Sequence, residues 1–170
     1  MSVVVVIEGD TDEPVARKLA ADAGLRVAQL FDMGGKSQID KRLKDFNASA
    51  KGSPWFVLRD LDHDAACAPT FVRNLRLQPA SWMVFRLAVR EIEAWLLADR
   101  DGLADFMGIA PSAISDAPDD HDDPTQTLVN LARKSRKKGI VRAFVPQRGD
   151  SISVGPGYEA AIIEFGLLHW

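Results

Sequence analysis

The sequence predicts an α/β protein: a Rossmann-like open parallel sheet of about four strands with helices on both faces. Three observations predict it. The chain opens on a β-branched run, "VVVVIE" at residues 3–8, which suits a strand buried on both faces. Strand-like and helix-like segments then alternate over roughly 100 residues, and such alternation requires parallel crossovers. Glycines follow the first two strands, in "EGD" and "MGGK", where a strand must turn into a helix.

The elements follow in order. After the first strand, "GDTDEPVARKLAADAG" supplies a turn glycine, a capping Thr11 or Asp12, Pro14 in the first turn, apolar spacing at Val15, Leu19 and Ala20, and a terminating Gly24. "RVAQLFD" at 26–32 is the second strand, and "SQIDKRLKDFNASA" a helix with Ile39, Leu43 and Phe46 on one face. "PWFVLRD" at 54–60 is the third strand and "APTFVRNLRL" the third helix, with Pro69 near its start. "SWMVFRLAV" at 81–89 is the fourth strand, and "REIEAWLLADRDGLADFMG" forms one or two helices. Residues 1–108 thus make the α/β core. Residues 109–170 read as a loop and helical elaboration packed on it, one domain overall: a Pro- and Asp-rich loop, a helix over about 125–138, an irregular Gly- and Pro-containing stretch, and a last apolar helix.

Composition narrows the function. The formal charge of −3 argues against a chain that coats nucleic acid through its overall field. The basic run "RKSRKKGIVR" at 133–142 leaves a local patch, either the solvated end of a helix or a phosphate contact. No window is apolar enough to span a membrane and the start lacks a signal peptide's features, so a cytoplasmic protein is expected. The single Cys67 excludes an internal disulfide and reads as a small core filler. Trp55, Trp82, Trp95 and Trp170 read as core and tail packing, with Trp170 also open to a dimer or partner contact.

The candidate site lies where ligands bind open parallel sheets, at the carboxyl ends of the strands. Acids occupy every such end: Glu8 and Asp10, then Asp32, then Asp60, Asp62 and Asp64 around His63, then Glu91 and Glu93 after Arg90. Carboxylates brought together repel unless a cation neutralises them or some bind protons. A divalent metal, Mg²⁺ or Mn²⁺, answers this economically. Asp60 and Asp62 project from one side if the backbone remains extended, and Glu8 on a neighbouring strand is the third carboxylate, as general base or as ligand to a second ion. Asp64 reads as the cap of the next helix. "GGKS" lacks the spacing of a phosphate loop, yet Gly35 and Lys36 permit either close phosphate approach or a plain turn.

A strand ending in Glu8-Gly9 within "VIEGDTDE", and a later strand ending in Asp60-x-Asp62 within "VLRDLDHD", resembles the Toprim domain of topoisomerases, bacterial-type primases and OLD-type nucleases. The "MGGKS" turn looks like the OLD-type branch. "REIEAWLLAD" and "SISVGPGYEAAIIEF" are similar to small stand-alone bacterial Toprim-like proteins. The resemblance implies Mg²⁺-dependent phosphodiester chemistry on DNA or RNA, with Glu8 as acid or base and Asp60 and Asp62 as metal ligands. It also implies a loose counterpart in Glu91 or Glu93 of a second-metal acid, a separately encoded ATPase partner and a role in phage defence. Gly9, Gly35, Lys36 and Arg90 are the phosphate-side candidates, and a homodimer is compatible with the sequence. The leading expectation is a metal-dependent nuclease or related phosphodiesterase. Its rival is a module that binds metal, nucleic acid or an ATPase without cleaving. A sugar transferase using Asp-x-Asp is disfavoured, because it leaves Glu8 unexplained and lacks room for an acceptor domain.

Overall fold

The computed structural model describes residues 1–147, 149 and 151–170; Arg148 and Asp150 of the expected irregular stretch lie outside the described residues. The chain divides into two compact units, Met1–Val89 and Arg90–Trp170. The expected core extends to residue 108, whereas the division falls earlier, and the helices over 92–107 go with the second unit.

The first unit carries a four-stranded, all-parallel sheet: β1 (Ser2–Ile7), β2 (Arg26–Asp32), β3 (Trp55–Asp60) and β4 (Met83–Ala88), in the order β2-β1-β3-β4. The expected α/β architecture is therefore present. Its apolar opening run is buried as a central strand must be, with Val3, Val5, Val6 and Ile7 all withdrawn from solvent. Helix α1 (Glu13–Asp22) carries Pro14 in its first turn, and α3 (Ala68–Leu75) carries Pro69 there, where a missing N–H costs nothing. Helix α2 (Lys36–Ser49) turns Ile39, Leu43 and Phe46 onto Val6, Val57 and Met83. Each such side chain contributes about 2 kcal/mol by leaving water.

This order has a functional consequence. The connection through α1 leaves β1 toward β2, and the one through α2 returns over β1 to β3. With right-handed crossovers, α1 and α2 then lie on opposite faces, so the chain reverses direction between β1 and β3. A crevice opens beyond the carboxyl ends of strands at such a reversal.

The second unit is helical: α4 (Ile92–Ala98), α5 (Arg100–Met107), α6 (Pro124–Ala132), α7 (Lys138–Phe144) and α8 (Tyr158–Leu168). The helix expected over 125–138 ends at Ala132, and part of the expected irregular stretch is α7. The reason is local. Ser135 accepts from the Lys137 amide at 2.9 Å and donates to the Met107 carbonyl, which breaks the run between two helices. Among the described residues no helix is long and apolar enough to cross a membrane.

A carboxylate edge at the reversal point

Glu8 follows β1 directly and sits at that reversal. Its carboxylate accepts from the backbone amide of Asp60, the last residue of β3, at 3.3 Å, and the amide of Lys36 at the start of α2 also faces it. Its carbonyl accepts from the Gly35 amide at 2.8 Å. Gly35 has φ +120°, a conformation that a side chain would strain, so glycine here lets the β2–α2 turn lie against Glu8. The ends of β1 and β3 and the start of α2 thus converge on the Glu8 side chain.

Burial, the largest influence, raises the Glu8 carboxyl above the usual carboxylate range. The amides of Asp60 and Lys36 pull it down, the charge of Asp62 adds to the rise, and Arg59 opposes it. A further neighbour, Asp12, was not expected at this site. Asp12 reaches back from the short turn before α1 to accept from the amides of Glu8 and Gly9 at 2.9 and 3.1 Å. It is 3% exposed, and burial, reinforced by the charges of Glu8 and Asp32, pushes its carboxyl up to about 6. Asp12 was legible only as a helix cap; that it clamps the Glu8-Gly9 loop is a tertiary consequence of the turn's tightness.

The third strand's acids depart from expectation. Asp62 has φ +46°, so the backbone is no longer extended and the argument that Asp60 and Asp62 project together fails. The Asp62 carboxylate instead accepts from the Lys36 ammonium at 2.6 Å, and Lys36 also meets Asp64 at 3.0 Å. Asp64 does not cap α3, whose capping position is Cys67. It accepts from Arg59 at 2.7 Å, and this bond, with help from Lys36, holds its carboxyl below the usual range. Arg59, 1% exposed, also forks onto both Asp40 oxygens at 2.8 Å and lies over the Phe71 ring at 4.4 Å. It is thereby committed to the fold and unavailable to a phosphate backbone.

The neutralising cations of this edge are therefore lysine and arginine from the chain itself. Among the described residues no group of three or more acidic, imidazole or thiol side chains is disposed to hold a metal ion. The donors are hard oxygens, and Mg²⁺ ordinarily takes one or two carboxylates and completes its shell with water and phosphate. The residues thus fit an open, substrate-completed Mg²⁺ site and do not fit an ion caged by protein. Lys36, one-third exposed on its side chain, remains the phosphate-side group nearest these acids.

Arg90, Glu91 and Glu93 belong to the second unit. There Glu91 accepts from the amide and hydroxyl of Thr125 at 3.1 and 2.8 Å, tying α6 to the start of α4. Glu93 is buried and accepts from the Tyr158 hydroxyl at 3.0 Å, tying α8 to α4. Burial and then the charge of Glu93 drive the Tyr158 hydroxyl well above its ordinary range, so it stays a donor. Arg90 has φ +24°. Two residues expected in the core are outside it: Cys67 is exposed, with its thiol on the Thr70 hydroxyl, and Trp82 is 46% exposed. Compared with protein-family models, with curated proteins and with solved structures, the chain matches none.

Proposed function

We propose that the chain is a Mg²⁺- or Mn²⁺-dependent nuclease or related phosphodiesterase of Toprim type, acting on DNA or RNA at the edge made by Glu8, Asp60 and Asp62. The observation that carries this reading is Glu8 itself. A half-buried carboxylate at the end of a central strand, with its proton affinity raised, is suited to take a proton from a reacting group. It stands at the chain reversal between β1 and β3, where open α/β sheets take their ligands.

Asp60 would hold the ion, joined by Asp62 once Lys36 releases it; when bound, the ion supplies charge for the phosphate oxygens and lowers the pKa of a water. The chain's own residues do the rest. Glu8 accepts the proton of the attacking water, and Asp12 keeps the Glu8-Gly9 loop in place by bonding both amides. Lys36, on exchanging Asp62 and Asp64 for a phosphate oxygen, meets it as a point charge. The tight turn at Gly35 lets the backbone approach a phosphate closely.

Asp60→Ala is expected to abolish Mg²⁺-dependent cleavage of labelled DNA and RNA strands while far-UV circular dichroism stays that of the parent. Cleavage at the parent rate would defeat the assignment. A second reading, a module that binds a polyanion or a partner ATPase without cleaving, is favoured by one observation: Lys36 and Arg59 already neutralise Asp40, Asp62 and Asp64. Metal binding without turnover across single- and double-stranded substrates would select it.

A further inference from the structure

We infer that the second unit carries a separate docking surface for the phosphodiester backbone of a nucleic acid, centred on Arg133, Lys134, Arg136, Lys138 and Arg142. The charge of the chain is segregated: no acid occurs between Asp123 and Asp150, although the chain as a whole is acidic. All five of these cations are exposed, and among the described residues none is in an ion pair.

Helix stabilisation accounts for only part of this charge. Arg133 and Lys134 follow the carboxyl end of α6, and Arg142 lies in the last turn of α7, where cations suit the helix dipole. The neighbouring Lys137 satisfies the last carbonyls of α5, donating to Asp105 and Phe106 at 2.8 and 3.2 Å. Lys138, however, begins α7, whose first turn holds no acid, so the dipole opposes it. Arg136 lies between the helices, on the rim of a surface hollow of about 510 Å³ that it shares with Lys137, Gly108 and the carboxylate of Asp105. Helix stabilisation therefore accounts for neither of these two cations.

The chemistry favours nucleic acid over an anionic membrane. Three of the five cations are arginines, whose forked donors match phosphate oxygens. No large apolar side chain is exposed between residues 133 and 142, so the patch has no wedge to enter a bilayer. All of its residues belong to the second unit, and its occupancy does not require that a strand be cut.

The test is fluorescence anisotropy in EDTA with labelled duplex DNA, single-stranded DNA and RNA, over a salt series. Five engaged cations predict a log–log salt slope near −4.5 on duplex DNA, at about −0.9 per cation. Arg136→Gln/Lys138→Gln/Arg142→Gln should weaken low-salt binding at least tenfold and shallow that slope by about 2.7. Lys41→Gln/Lys44→Gln, exposed cations on α2, should change neither by as much as twofold. Equal losses in both variants, or no loss in the triple variant, would overturn the inference. So would capture by phosphatidylserine vesicles with no oligonucleotide binding. Because EDTA removes any metal, a failure of the cleavage proposal leaves this result readable.

Discussion

Asp12 and Glu8 form a pair of crowded acids, and pH should expose the cost. Asp12 has a folded pKa of about 6 against an ordinary 3.8, so the folded state holds a proton that the unfolded chain has released. By linkage, stability falls as pH rises from about 4 to about 6, and the penalty is complete above that window, on the order of 3 kcal/mol. Asp12→Asn keeps an acceptor for the Glu8 and Gly9 amides and removes the titration. Urea midpoints for the variant are therefore expected to lose the decline between pH 4 and 6 that the parent shows. Arg59 makes the opposite case, a buried cation held by Asp40 and Asp64, both about one-third exposed on their side chains. Asp40→Asn/Asp64→Asn strands that guanidinium and should cost about 3 kcal/mol or more, whereas Arg59→Met leaves two acids that water can reach and should cost less. Chemical denaturation of both variants checks the order. Sequence alone read Asp64 as a helix cap, because strand alternation assigns a side and never a partner. Glu8 was legible for a sharper reason: glutamate is a poor strand residue, so its place after five apolar residues needed an explanation beyond the strand.

The elements of the first unit were readable wherever period and punctuation agreed. The apolar face of α2, the proline-led starts of α1 and α3, and the four strands all follow from local rules. Leu43→Ala should therefore cost about 2–5 kcal/mol in urea denaturation, since Leu43 is buried against the sheet face that also buries Val57. Between residues 133 and 144 the local signals mislead, whereas the last apolar helix is found where it was expected, as α8. A glycine and a dense basic run masked α7, whose formation depends on Ser135 breaking the preceding helix and on chain packing near Gly155. Gly155 donates to the Phe144 carbonyl at 2.8 Å, and an added Cβ would lie 2.7 Å from the Phe144 carbonyl carbon. Gly155→Ala is accordingly expected to destabilise the chain by about 1–3 kcal/mol, read by thermal or urea unfolding. Asp62 shows the same limit at the end of β3, where one residue with positive φ redirects a carboxylate from its expected side to Lys36.

At the scale of the molecule, the strand order β2-β1-β3-β4 gives the acids their meaning. Alternating strands and helices announce parallel crossovers, but only the order shows that the chain reverses between the strand ending at Glu8 and the strand ending at Asp60. Their amide-to-carboxylate bond is a direct product of that adjacency. The acidic edge is then stabilised in part by the chain's own cations and leaves two carboxyls, Glu8 and the clamping Asp12, with raised proton affinity. The central claim is that the Glu8 carboxyl carries phosphodiester cleavage. The most direct measurement is the initial rate of Mg²⁺-dependent cleavage of a labelled strand, followed from pH 5 to 9, for the parent and for Glu8→Gln. The parent should show an acid limb lying above the usual carboxylate range, and Glu8→Gln should lose roughly 10²–10⁴-fold in rate together with that limb. A Glu8→Gln variant that cleaves at the parent rate with the same pH profile would contradict it.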